Sequence, residues 1–121
     1  MKIMLKKNFK NVKKEIASLP DGTPVDKVHI RWLIDKNDGA QNYAMRMFEI
    51  ERGGSIPLHQ HPEEHEMFIL KGKGALLKKD GQEVEINEGD VIFVPPNEIH
   101  GYKNIGNDNL VFICVIPYLK K

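Results

Sequence analysis

The chain has 121 residues, the size of one compact domain that can bury a core without disulfide staples. Eighteen lysines and arginines against 17 aspartates and glutamates argue against a general nucleic-acid binder, and a single cysteine, Cys114, excludes an intrachain disulfide framework and fits a reducing compartment. Lysines interrupt every apolar run of the N-terminus, and no stretch approaches the roughly 18 apolar residues of a membrane span. The expected class is therefore a cytoplasmic domain with neither nucleic acid nor a membrane as its partner.

Residues 1–26 read as a separate N-terminal arm. Phe9, Val12 and Ile16 recur at helical spacing, which predicts a short helical turn, and Asp21-Gly22-Thr23-Pro24 ends it. The arm is expected to be solvated or draped on a partner. From there residues 27–121 form one domain of β pattern. Strands are predicted at Val28–Ile34, Tyr43–Glu51, Ile56–His61, His65–Lys71, Gly74–Lys79, Glu83–Ile86, Val91–Val94, His100–Lys103 and Leu110–Ile116. Many short strands with turn signals between them and little helix define an all-β sandwich or barrel. Asp80-Gly81 predicts a two-residue hairpin turn. Leu110–Ile116 is apolar on both faces, with Phe112, Cys114 and Ile116 on one side and Val111, Ile113 and Val115 on the other. Such a strand needs two covers, the barrel interior and a second one, for which another subunit would serve.

Three of the five histidines fall between His59 and His65. Residues i and i+2 of a strand point to one face about 6.6 Å apart, so His59 and His61 form a chelating pair. Pro62-Glu63-Glu64 then reverses the chain and returns His65, and Pro95-Pro96-Asn97 places His100 at the start of a further strand. Four neutral imidazoles on a rigid wall make a metal site, richer in imidazole than a structural Cys/His zinc site. His61-Pro62-Glu63-Glu64-His65 also matches H-x-x-E-H, a peptidase motif that needs both histidines on one helix. Met67–Leu70 followed by Gly72 and Gly74 reads as strand and turn, which disfavours it. His29 stands apart and reads as structural.

Gly53, five residues, His59-x-His61, three residues, His65, six residues and Gly72 resemble the first motif of the cupins. Gly89, five residues, Pro95-x-Asn97-x-x-His100, three residues and Asn104 resemble the second. The likeness runs from about Val28 to Pro117 and implies a small single-domain cupin, a double-stranded β-helix of jelly-roll type. Two positions depart from the family pattern. His65 occupies the usual glutamate ligand position, and Asn97 stands for a glycine, which Asn can replace because it tolerates a left-handed conformation. The block from His59 to Glu66 is similar to a subgroup with four histidine ligands. That resemblance implies one divalent ion held by His59, His61, His65 and His100, manganese in the first place, with iron, copper, nickel or zinc as alternatives, and a homodimer.

Four ligands on a six-coordinate ion leave two positions for water, a bidentate carboxylate or a substrate. Replacing glutamate by histidine keeps the full charge of the ion and raises the demand for an anionic ligand. Glu63, Glu64 and Glu66 either orient ligand N–H groups or form a solvated turn. Phe112, Cys114 and Ile116 share a face, which the resemblance to the cupins implies is turned toward the ion, with Cys114 a small filler or a redox-sensitive group. Arg46, a lone charge in an apolar strand, is by default a surface residue; facing inward it would need an anionic partner. The expected function is a metal-dependent oxidoreductase or dioxygenase, or a lyase or isomerase, acting on a small oxygenated molecule. The alternatives are a small-anion binder or sensor, and a structural metal site.

Overall fold

The structure, a computed structural model, describes residues 4–119. The first three residues of the expected arm and the last two of the expected domain lie outside the described residues. Ten strands follow in chain order among them: β1 (Glu15–Ser18), β2 (Pro24–Ile34), β3 (Tyr43–Ile50), β4 (Ser55–His59), β5 (His65–Lys71), β6 (Lys73–Lys78), β7 (Glu83–Asn87), β8 (Val91–Val94), β9 (His100–Asn104) and β10 (Leu110–Pro117). One sheet has the order β1-β2-β3-β10-β5-β8, the second β4-β9-β6-β7, and every pairing is antiparallel. Only single 3₁₀ turns, Phe9–Asn11 and Lys36–Asp38, interrupt the β structure of the described residues. The expected all-β jelly-roll barrel is the fold.

Val28, Ile50, Ile69, Leu110 and Phe112 of the large sheet are completely buried and pack with Ile56, Ile86 and Tyr102 of the small one. β10 lies inside the large sheet, with Phe112 and Cys114 buried on its inner face and Val111, Ile113 and Val115 half-buried on its outer face. It pairs with β3 on one side and β5 on the other, so Ile113 lies opposite Met47 and next to Phe68 on the outer face. Inside, Phe112 stacks on Phe48 with ring centroids 5.3 Å apart. Truncating Phe112 to alanine would cost about 3–5 kcal/mol.

The N-terminal segment differs from expectation. Phe9–Asn11 makes one 3₁₀ turn, but Ile16 lies in β1, which pairs with β2 of the same chain. Contacts with β2 override the weak helical period. The Arg31 guanidinium lies 5.4 Å from the Phe9 ring, and its Nε donates to the Val12 carbonyl over 3.2 Å. Lys7 reaches the Leu33 carbonyl and the Asp38 carboxylate. Ala17 and Val25 enter the core, and the boundary expected between residues 26 and 27 falls inside β2.

The β6–β7 connection is also longer than expected. Gly81 N–H donates to the Lys78 carbonyl and Lys78 N–H to the Gln82 carbonyl, leaving three loop residues. Only Gly81 has a positive φ, 87°, as in a type I turn closed by a left-handed glycine. Gly72, at φ 93°, joins β5 to β6 where a Cβ would lie 2.6 Å from the Asn109 carbonyl oxygen, so no side chain fits.

Candidate metal centre

The four histidines lie in or next to two connections, β4–β5 and β8–β9. β4 ends at His59, and His61 follows in the turn rather than on the strand, contrary to the expected shared strand face. Pro62 has no N–H to extend a ladder, and the His61 carbonyl instead accepts from Asn97 N–H over 2.9 Å. Asn97 sits at φ 64°, the left-handed conformation its sequence position demands. His65 opens β5 opposite Val94, and His100 opens β9 opposite His59. Ring centroids are 4.4 Å apart for His59 and His100, 4.3 Å for His61 and His65, and 5.3 Å for His65 and His100. The His61–His65 segment is a turn, which removes the helical peptidase motif.

Three of these rings make the same contact. Nδ1 lies 2.8 Å from the Pro57 carbonyl in His59, 2.9 Å from the Glu63 carbonyl in His61 and 2.7 Å from the Glu98 carbonyl in His100. A carbonyl can only accept, so each Nδ1 carries the proton and each Nε2 keeps its lone pair. Ligand atoms of His59, His61 and His100 lie within 4.8 Å of one another. The Nε2 of His100 is buried without a hydrogen-bond partner. His65 stands outside that trio but brings its Nε2 to 2.5 Å from the Nε2 of His61. Converging lone pairs, one of them buried and orphaned, fit a divalent cation.

Electrostatics favour the neutral form of His61, His65 and His100, the form that binds metal. Burial, with Arg46 and the neighbouring rings, depresses His65 to about 2. Burial takes His100 to about 4, and burial together with His59 lowers His61. Glu63 takes part chiefly through its carbonyl, its carboxylate being 3.6 Å from His61 Nδ1, while Glu64 and Glu66 are exposed. His29 lies on β2, 3.5 Å from the Glu51 carboxylate and outside the cluster.

The histidines line a cavity of about 290 Å³. Arg46, Phe112, Cys114 and Ile116 are on its wall. Arg46 therefore faces inward rather than out to solvent, 9% exposed, because it shares the inner face of β3 with Ala44, Phe48 and Ile50. Its guanidinium lies 4.9 Å from the Phe48 ring centroid and 5.6 Å from that of Trp32. No carboxylate of the described residues lies within ion-pair distance of it, and its Nε is buried without a partner. Cys114 is more than a filler: its Sγ lies 3.0 Å from Arg46 Nη2 and 2.9 Å from His65 Nδ1. Ser18, Leu19 and Pro20 of the N-terminal segment and Tyr102 also line the cavity. Sequence reasoning missed them, and only the pairing of β1 with β2 reveals the first three.

A family model described as a cupin domain matches residues 46–116, and the chain belongs to the cupin family. It is 35% identical to the oxalate-binding protein of Thermotoga maritima over 77% of this chain and 78% of that protein. It is 28% identical to quercetin 2,3-dioxygenase of Bacillus subtilis over 74% of this chain but only 30% of the dioxygenase. Among solved structures, the polyketide cyclase RemF of Streptomyces resistomycificus superposes with a TM-score of 0.87 at 31% identity, over 98% of this chain and 89% of the cyclase. A protein described as a predicted oxalate decarboxylase from Thermotoga maritima gives 0.80 at 28% identity, over 95% and 100%.

Proposed function

We propose that this cupin holds one divalent metal ion with His59, His61, His65 and His100 and acts on a small, oxygen-rich anion as a metal-dependent oxidoreductase of the dioxygenase type. The observation that carries this reading is the pairing, in one cavity, of the converging imidazoles of His59, His61 and His100, with His65 beside them, and the buried guanidinium of Arg46. Glu63 is the one carboxylate residue on the cavity lining among the described residues. A dication and a guanidinium against that single acid leave a field that attracts anions. When bound, manganese or iron supplies a Lewis acid that can change oxidation state; manganese rests on the four-histidine resemblance, with copper, nickel and zinc as alternatives.

The chain's own residues do the rest. The pinned Nδ1–H groups aim the rings, Arg46 takes a carboxylate or enolate oxygen, and Phe48, Phe112 and Ile116 keep water from the remaining wall. A second reading, capture of a small dicarboxylate without turnover, is favoured by the likeness to the protein named oxalate-binding.

The protein is further proposed to be a homodimer in the cytoplasm. The outer face of the large sheet carries a stripe from Met47 through Ile113 and Phe68 to Val91, whose exposures reach 47% at Phe68 and 73% at Val91. A second copy laid on this stripe would cover it. The buried lone thiol suits a reducing compartment, and no helix of the described residues is long and apolar enough to cross a membrane.

Dioxygen consumption by the manganese-loaded protein, screened with oxalate, 2-oxo acids, enols, diketones and phenols, tests the function. Turnover is expected, abolished in His59→Ala and altered in substrate preference in Phe112→Ala. Arg46→Met should raise KM for anionic substrates about tenfold or more, the weight of one charged hydrogen bond. Tight oxalate binding by calorimetry with no turnover of any substrate would replace catalysis by capture.

A further inference from the structure

We infer that Cys114 is a positioning residue of the metal centre: its sulfur is the hydrogen-bond acceptor that lets His65 take its metal-binding tautomer. The inference rests on the four-histidine reading and concerns the one ligand whose Nδ1 does not meet a carbonyl. At His59, His61 and His100 a backbone oxygen fixes the proton on Nδ1. At His65 that place is taken by Cys114 Sγ, 49 residues away in sequence, at 2.9 Å.

His65 Nδ1 has a second neighbour of opposite character. Arg46 Nη2 lies 3.1 Å from it, and a guanidinium can only donate. Two arrangements of protons satisfy this triangle. In the first, Nδ1 is bare and accepts from Arg46 and from the Cys114 S–H, and Nε2–H points at the Nε2 of His61, 2.5 Å away. That tautomer has no lone pair for a cation. In the second, Nδ1–H donates to Cys114 Sγ, which also accepts from Arg46 over 3.0 Å, and the Nε2 lone pair is free to join the other three. Only an acceptor at position 114 makes the second arrangement available. Without one, Arg46 is left alone with Nδ1 and holds His65 in the tautomer that cannot bind. Cys114 is 2% exposed and lies opposite Arg46 in the β10–β3 register, which holds the sulfur against both partners.

The test uses zinc as the probe, on the full chain with ¹⁵N-labelled histidine and in the Cys114→Ser and Cys114→Ala variants. In the native protein, adding zinc should shift the ring nitrogens of all four histidines, and those of His65 should change from a protonated Nε2 to a protonated Nδ1. Cys114→Ala should weaken zinc binding about 10–100-fold, the usual cost of losing a ligand's orienting partner, with His65 keeping Nε2–H while the other three respond. Cys114→Ser, which keeps an acceptor, should restore affinity to within a few-fold and recover the His65 change. If the other three histidines respond in the native protein and His65 does not, the tautomer inference fails and the trio stands. If none of the four responds, the metal reading itself fails. Native-like zinc affinity in a folded Cys114→Ala protein, or equal losses in the Ser and Ala variants, would also overturn the inference.

Discussion

The backbone N–H of Asn97 donates to the carbonyl of His61 over 2.9 Å, latching the loop that carries His61 to the one that leads into His100. The latch needs a left-handed residue at 97, where φ is 64°. Asn97→Gly should keep both the melting temperature and the zinc affinity. Asn97→Val should lose about 1–2 kcal/mol of stability, because a β-branched residue is strained in that conformation, and should weaken zinc binding as the loops part. Equal affinity in the two variants would show that the latch does not position the rings.

The apolar stripe on the outer face of the large sheet predicts the oligomer. Light scattering should give twice the 13.9 kDa chain mass. Phe68→Glu, which places a charge on an exposed position of β5, should give a monomer that still folds. A native chain that is monomeric at micromolar concentration would contradict the proposed dimer.

Acid should destabilise the protein freed of metal by chelation through the buried histidines. Folding depresses His100 from 6.5 to about 4 and His65 to about 2, so both stay neutral in the fold while they take up protons in the unfolded chain. Their contribution to stability is complete above about pH 6.5. It declines as the pH falls toward 4, with His65 extending the loss further down. The melting temperature should drop across pH 6.5–4.5, and His100→Gln should flatten the slope. A melting temperature constant over that range would contradict the burial of these rings as neutral groups.

Much of this was legible in the residues, for identifiable reasons. The alternation in Leu110–Ile116 put Phe112 and Cys114 on one face, and both are buried on the inner side of β10. The histidine spacing and the Asn97 turn predicted which residues meet, although His61 reaches the cluster from a turn. Other features left no trace in the pattern. Arg46 alternates with Met45 and Met47 in a strand apolar on both sides, so no period told which way it faced. β1 shows an exposed Ile16 beside a buried Ala17, the reverse of a hydrophobic alternation. The carbonyls of Pro57, Glu63 and Glu98 act through the backbone, which side-chain reading does not see. The approach of Cys114 to His65 depends on a pairing across 49 residues.

Metal content per chain tests the central claim most directly. Protein purified without chelators should carry close to one divalent ion per chain by elemental analysis. The folded His61→Ala/His100→Ala double variant, which removes two converging Nε2 atoms, should carry almost none. An equal metal content in the two proteins would contradict the four-histidine centre.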